Sequence, residues 1–159
     1  MHPLSPLADT LLDRLAAEEA LLRAALANQQ EVHTALRRGD PAEAQALAAE
    51  QPALAADMRR AAEARAAASA ALARGVGLPE PASLTALARH APAEPAARLL
   101  AVRDVLRVLT AEIGDIQARN ANLIAHLRSF LRGALTAAGA PEPSSRYGPT
   151  GSRVARVNG

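Results

Sequence analysis

The sequence predicts an all-α fold: an elongated antiparallel helical bundle of three long helices plus one short helix, with a disordered C-terminal tail. Apolar residues recur at alternating steps of three and four from Leu99 to Phe130, which is typical of a long helix packed along another helix. The apolar residues are mostly alanine and leucine, and Phe130 and Tyr147 are the two aromatics. Such side chains favour close contacts between helices over sheets.

The first helix is predicted to run from Pro6 to Arg38. Ser5 followed by Pro6 is the pattern of an N-cap and a proline at the first helical position. Leucines at heptad spacing form its apolar stripe, which Glu18 and Gln29 interrupt. We therefore expect a helix that packs along one face and carries two polar breaks in that face.

A tight reversal is predicted where the first helix ends. Gly39 terminates that helix, and Asp40 caps the next one, with Glu43 placed as in a capping box. The second helix is expected over residues 41–74, antiparallel to the first. Pro52 lies inside its apolar pattern, which predicts either a kink or a split at this point.

The next signals in the chain predict a linker and a short helix. Residues 75–81, GVGLPEP, have the composition of a linker, and Ser83 is placed to cap a short helix over residues 84–90. A long last helix is then expected to begin between residues 93 and 95 and to end near Ala138.

From Gly139 onward, proline, glycine, serine and arginine dominate the sequence. This composition cannot bury enough apolar surface to offset the entropy lost on ordering. The predicted domains are therefore a helical bundle over residues 1–138 and a flexible C-terminal tail over residues 139–159.

Composition and motifs predict a protein that is not an enzyme and uses no cofactor. The chain has no cysteine, and its histidines have no partners at metal-ligand spacing, so we expect neither a disulfide nor a metal site. No carboxylate pair lies in an apolar segment, and no phosphate-binding glycine loop occurs. Phosphotransfer at His33 is an alternative to an ordinary histidine near a helix C-terminus.

The charge and hydropathy patterns limit the classes of partner. The net charge is only +2, and arginines alternate with acidic residues through most of the chain, so we expect no nucleic-acid binding. No apolar run is long enough to span a bilayer, which predicts no membrane insertion. The N-terminal residues lack the pattern of a secretory signal, so we expect a cytoplasmic protein.

The second half of the long helix holds the candidates for partner binding. Asn120 occupies a core position of the stripe, where a polar side chain either fixes helix register or bonds to a partner. Beyond it the apolar face widens to include Leu123, Ile124, Leu127, Phe130, Leu131 and Leu135. A wide face covers more than one neighbour, either a third helix or a partner helix. Tyr147, in an arginine-containing tail, is either part of a disordered end or a binding anchor.

Several segments resemble, in order, the FlgN-type flagellar export chaperones. The leucine-striped first helix ends in ALRRGD, and the second carries AAEAR. SLTALARHAPAEP is similar to the family's short helix and proline-rich break, and LLAVRDVL opens the last helix in the family manner. ARNANLIAHLRSFL resembles the family's asparagine-rich run before a leucine and phenylalanine stripe, and RYGPTGSRV resembles its terminal tyrosine segment.

The resemblance implies a cytoplasmic chaperone that binds the hook-associated proteins of the hook–filament junction. It would prevent their premature assembly and deliver them to the export gate of the flagellar type III apparatus. The family's substrate-binding region corresponds here to Asn120, Leu123, Ile124, Leu127, Phe130 and Leu131. Its C-terminal tyrosine, linked to docking at the gate, corresponds to Tyr147. A homo-oligomeric coiled-coil adaptor that self-associates through the same stripe is the alternative.

Overall fold

The computed structural model describes residues 4–139, and within that range it contains helices and no strand. The five helices are α1 (Ser5–Arg37), α2 (Pro41–Ala48), α3 (Gln51–Val76), α4 (Leu84–His90) and α5 (Ala93–Ala137). Three are long and two are short, so the all-α prediction is confirmed. The tail is predicted over residues 139–159, and its residues from 140 onward, Tyr147 included, lie outside the described residues.

Local sequence signals place most helix ends. Helix α4 has the predicted bounds, and Ser83 Oγ caps it by accepting a hydrogen bond from Ala86 N at 3.1 Å. Helix α1 begins one residue before the predicted start, because Leu4 and not Ser5 occupies the N-cap position. The predicted role of Ser5 as a cap was therefore wrong.

The reversal after α1 forms as predicted. Gly39 has a φ of +71°, a left-handed conformation that costs glycine little because it has no Cβ. Asp40 Oδ1 accepts a hydrogen bond from Glu43 N at 3.0 Å, which satisfies one of the free N–H groups at the start of α2. The Glu43 carboxylate pairs with Arg38 at 2.5 Å, and Asp40 N donates to Ala35 O. Only half of the expected capping box is therefore present.

We expect Asp40→Ala to lower the free energy of unfolding by about 1 kcal/mol, because Glu43 N would lose its acceptor. Urea denaturation followed by far-ultraviolet circular dichroism measures this change. Asp13→Ala is the matched control, since Asp13 is an exposed aspartate of α1. Equal losses in the two variants would contradict the capping role of Asp40.

The predicted second helix is split and not merely kinked. Helix α2 ends at Ala48, and Pro52 lies in the first turn of α3, where its missing N–H leaves no helical bond unmade. Asn28 of α1 spans the break: its Nδ2 donates to Leu47 O at 2.9 Å, and its Oδ1 accepts from Gln51 Nε2 at 3.1 Å. A buried asparagine thus satisfies polar groups on both sides of the split.

Cross-helix contacts show that α3 runs antiparallel to α1. Glu18 in the first half of α1 pairs with Arg65 in the second half of α3, with Oε2 and Nε 2.7 Å apart. Asn28, later in α1, contacts Gln51 at the start of α3. Glu18 is one of the two predicted breaks in the α1 stripe, and Arg65 is the oppositely charged group that it meets there.

Helix α5 returns in the same direction as α1. Near its start, Arg98 lies 3.8 Å from Asp9 of α1, and further along Asn120 bonds to Gln29 of α1 at 3.0 Å. Since α3 is antiparallel to α1, the three long helices alternate in direction along the chain. The antiparallel bundle predicted from the tight reversal is therefore confirmed.

The apolar core is concentrated where α1 begins, α3 ends and α5 begins. Its largest fully buried side chains are Leu11, Leu15, Leu72, Leu87 and Leu99. Four different helices contribute these leucines, and small residues such as Ala8 and Ala73 are buried among them. Leucine packed against alanine thus supplies the burial that aromatic residues supply in other domains.

The chain divides into two compact units, Met1–Ala121 and Asn122–Gly159. The described part of the second unit comprises residues 122–139, which belong mostly to α5. The predicted division between residues 138 and 139 concerns the undescribed end of the chain and stays a prediction. No helix in the described range is long and apolar enough to cross a membrane.

Candidate partner-binding surface

Burial along α5 changes in the second half of the helix. In the first half, Leu99 and Leu109 are buried, and the stripe residues between and after them are at least half-buried. Asn120 is the last buried residue of the helix, with 4% of its surface exposed. Beyond it the same apolar period continues, but at Leu127 and Phe130 the side chains are exposed.

The apolar residues beyond Asn120 form one side of the helix, which we call the C-terminal face. It consists of Leu123, Ile124, Leu127, Phe130, Leu131 and Leu135. The first two are half-buried, and the other four are 37%, 73%, 59% and 53% exposed, respectively. Their spacing of three and four residues places them on one side of the helix. Contiguous exposed apolar surface is common at sites of interaction with other molecules.

The predicted site residues are therefore distributed over different environments. Five of them, Leu123, Ile124, Leu127, Phe130 and Leu131, lie on the C-terminal face. Leu135 extends that face by one turn. The sequence pattern already placed it on the widened apolar face, although the family resemblance did not include it among the site residues.

Asn120 lies inside the bundle, where its amide is bound by groups of α1. Its Nδ2 donates to both the backbone O and Oε1 of Gln29, each at 3.0 Å. Its Oδ1 accepts from His33 Nδ1 at 2.9 Å. Because an amide oxygen can only accept, the hydrogen of this bond belongs to the imidazole. These three bonds fix the position of α5 along α1, which is the register-setting interpretation of Asn120.

Sequence reasoning considered Gln29, His33 and Asn120 separately and missed their contact. Gln29 breaks the stripe of α1, and Asn120 breaks the stripe of α5. A buried amide without a hydrogen-bond partner costs about 1–3 kcal/mol. The need for such a partner at each polar break was the feature of the sequence that could have paired the two residues. The structure also gives His33 a hydrogen bond to a buried asparagine of another helix. Among the described residues no group of carboxylates and histidines is arranged to hold a metal ion.

The family comparison matches nearly the whole chain. The model of the family described as FlgN protein matches residues 1–155, which include all five helices. No curated protein and no solved structure matches this chain.

Proposed function

Because this chain belongs to the FlgN family of flagellar export chaperones, we propose that it binds the hook-associated proteins of the hook–filament junction. In this proposal it acts in the cytoplasm, prevents premature assembly of these clients and delivers them to the export gate of the flagellar type III apparatus. The family resemblance supports the identity of the clients, and the exposed apolar side of α5 supports the means of binding.

The single observation that carries the binding mechanism is the exposure of the C-terminal face. Phe130 and Leu131 are 73% and 59% exposed, respectively. A client helix laid along this face would bury its own apolar stripe, as in other helix-in-groove complexes. The chaperone would thereby replace the neighbours that the client helix acquires after export.

Release of the client needs no chemical step under this proposal. Burial of a few leucine and phenylalanine side chains yields a moderate affinity once the entropy of association is subtracted. Competition at the export gate is then sufficient to remove the client. We assign the contact with the gate to Tyr147, since tyrosine and arginine often dominate binding energy and Arg146 precedes it.

Co-expression with the hook-associated proteins of the same organism tests the proposal. We expect the unmodified chain to co-purify with a client, and Leu131→Asp to reduce client affinity at least about tenfold, since a charge would be desolvated on binding. Val108→Asp is the matched control because Val108 is 56% exposed on the same helix, against 59% for Leu131. We expect this control to recover client normally.

Two further measurements separate the proposed roles. Tyr147→Ala should leave client recovery unchanged and lower client secretion, because it removes only the gate contact. Size determination of the free chain addresses the alternative of a self-associating adaptor. A stable homodimer that Leu131→Asp dissociates, together with no client recovery by the unmodified chain, would favour that alternative and reject the chaperone proposal.

A further inference from the structure

One border of the C-terminal face carries two arginines and no acid. Arg128 precedes Leu131 by three positions and Arg132 precedes Leu135 by three, so each arginine is beside a leucine of the face on the helix surface. Both arginines are exposed. No aspartate or glutamate occurs in the sequence between Asp115 and Glu142.

About half of the arginines in the described range have a carboxylate partner, and the two arginines of this border are among those that have none. Seven arginines in the described range pair with a carboxylate: Arg23, Arg38, Arg60, Arg65, Arg74, Arg98 and Arg103. Within residues 4–139, neither Arg128 nor Arg132 forms such a pair. They are four positions apart, and like charges at this spacing destabilise a helix. Carboxylates of another molecule, placed beside the two arginines, would offset this repulsion between like charges.

We propose that the C-terminal face binds a client helix whose apolar stripe is bordered on one side by two carboxylates one turn apart. This inference rests on the proposed function and adds the charge pattern that the client must carry. Covering the face would exclude water beside Arg128 and Arg132, which strengthens each ion pair relative to an exposed one. The planar guanidinium groups can each bind a carboxylate through two parallel hydrogen bonds.

The charges on the rest of this helix surface favour a protein partner over an anionic membrane. A helix that lies on a membrane carries many basic residues across its polar side. Here the side of α5 opposite the C-terminal face presents Asn122, Ala125, Ser129 and Thr136, which are uncharged and exposed. Arg128 and Arg132 thus lie together on one border of the face, while Arg119, four positions before Leu123, and His126, four positions before Phe130, lie on the other border.

Two synthetic amphipathic peptides and the full chain provide the test. Both peptides have the same leucine stripe; one carries glutamates at two positions four apart along one border, and the other carries lysines there. We expect the glutamate peptide to bind about tenfold more tightly in fluorescence anisotropy, the sum of two partly exposed ion pairs. The difference should shrink as salt is added.

Charge reversal in the chain makes the test specific. The double variant Arg128→Glu, Arg132→Glu should prefer the lysine peptide. The control Arg59→Glu, Arg107→Glu changes the net charge equally at exposed arginines that form no ion pair among the described residues, and it should keep the original preference. Equal affinities for the peptides, no binding of either, or an unchanged preference in the double variant would overturn the inference.

The remaining outcomes distinguish this inference from the proposed function and from membrane binding. Recovery of hook-associated proteins by the unmodified chain without any peptide preference would reject only the charge pattern. A clear peptide preference without recovery of these proteins would reject only the named clients. Tighter binding to vesicles of phosphatidylglycerol and phosphatidylcholine than to the glutamate peptide would overturn the inference in favour of a membrane surface.

Discussion

Leu72→Ala is expected to lower the free energy of unfolding by about 3 kcal/mol, the largest effect that we predict for a single substitution. Leu72 is fully buried in the core shared by four helices. Its removal would lose the transfer free energy of the side chain and leave a cavity that the neighbouring leucines cannot fill without moving. Urea denaturation followed by far-ultraviolet circular dichroism measures the loss.

Leu54→Ala is the matched control for this substitution. Leu54 lies on the same helix, α3, but is only half-buried, so we expect less than half of the loss seen for Leu72. A comparable loss in both variants would show that burial in the core cluster does not dominate the stability of this bundle. Client recovery at low temperature should remain normal for both, since neither residue lies on the C-terminal face.

Asn120→Leu is expected to lower the free energy of unfolding by about 2 kcal/mol, although leucine is the more apolar residue. The reason is that Gln29 Oε1 would lose its partner at a buried position, and His33 Nδ1 would lose its partner at a half-buried one. Asn122→Leu is the matched control, because Asn122 is the neighbouring asparagine of α5 and is exposed. Its effect should be within about 0.5 kcal/mol of zero.

A double-mutant cycle with His33→Leu tests whether the hydrogen bond itself is responsible. We expect the double variant Asn120→Leu, His33→Leu to be less destabilised than the sum of the two single variants, by about 1 kcal/mol. Replacing both partners by apolar groups removes the unsatisfied donor that each single substitution leaves. Additive losses would mean that the two side chains contribute independently, and would remove the basis for a register-setting contact.

Local sequence signals were sufficient for most of the helix bounds. Ser83 and Asp40 predicted helix starts because a side-chain oxygen next to a free backbone N–H acts within three residues. Gly39 and Pro52 predicted a reversal and a break for equally local reasons, the left-handed φ and the missing N–H. The local signal of Pro52 did not distinguish a kink from a split, and the polar groups on both sides of the split are bonded to Asn28 of another helix.

For the C-terminal face, the sequence predicted the apolar residues but not what covers them. Periodicity predicted which residues share the apolar side of α5, including Leu127 and Phe130. It left open whether a third helix or a partner covers them, because an apolar stripe has the same sequence pattern in either case. The structure shows that the described helices bury the stripe at Leu99 and Leu109 and leave it exposed at Phe130.

The sequence by itself determined the helical class, the positions of the turns and the apolar sides of the helices, since these depend on side chains a few residues apart. The tertiary structure alone decided which polar breaks meet, as Glu18 meets Arg65 and Asn120 meets Gln29. Those contacts join residues far apart in the chain, and they depend on the relative register of packed helices. Periodicity within one helix carries no information about that register.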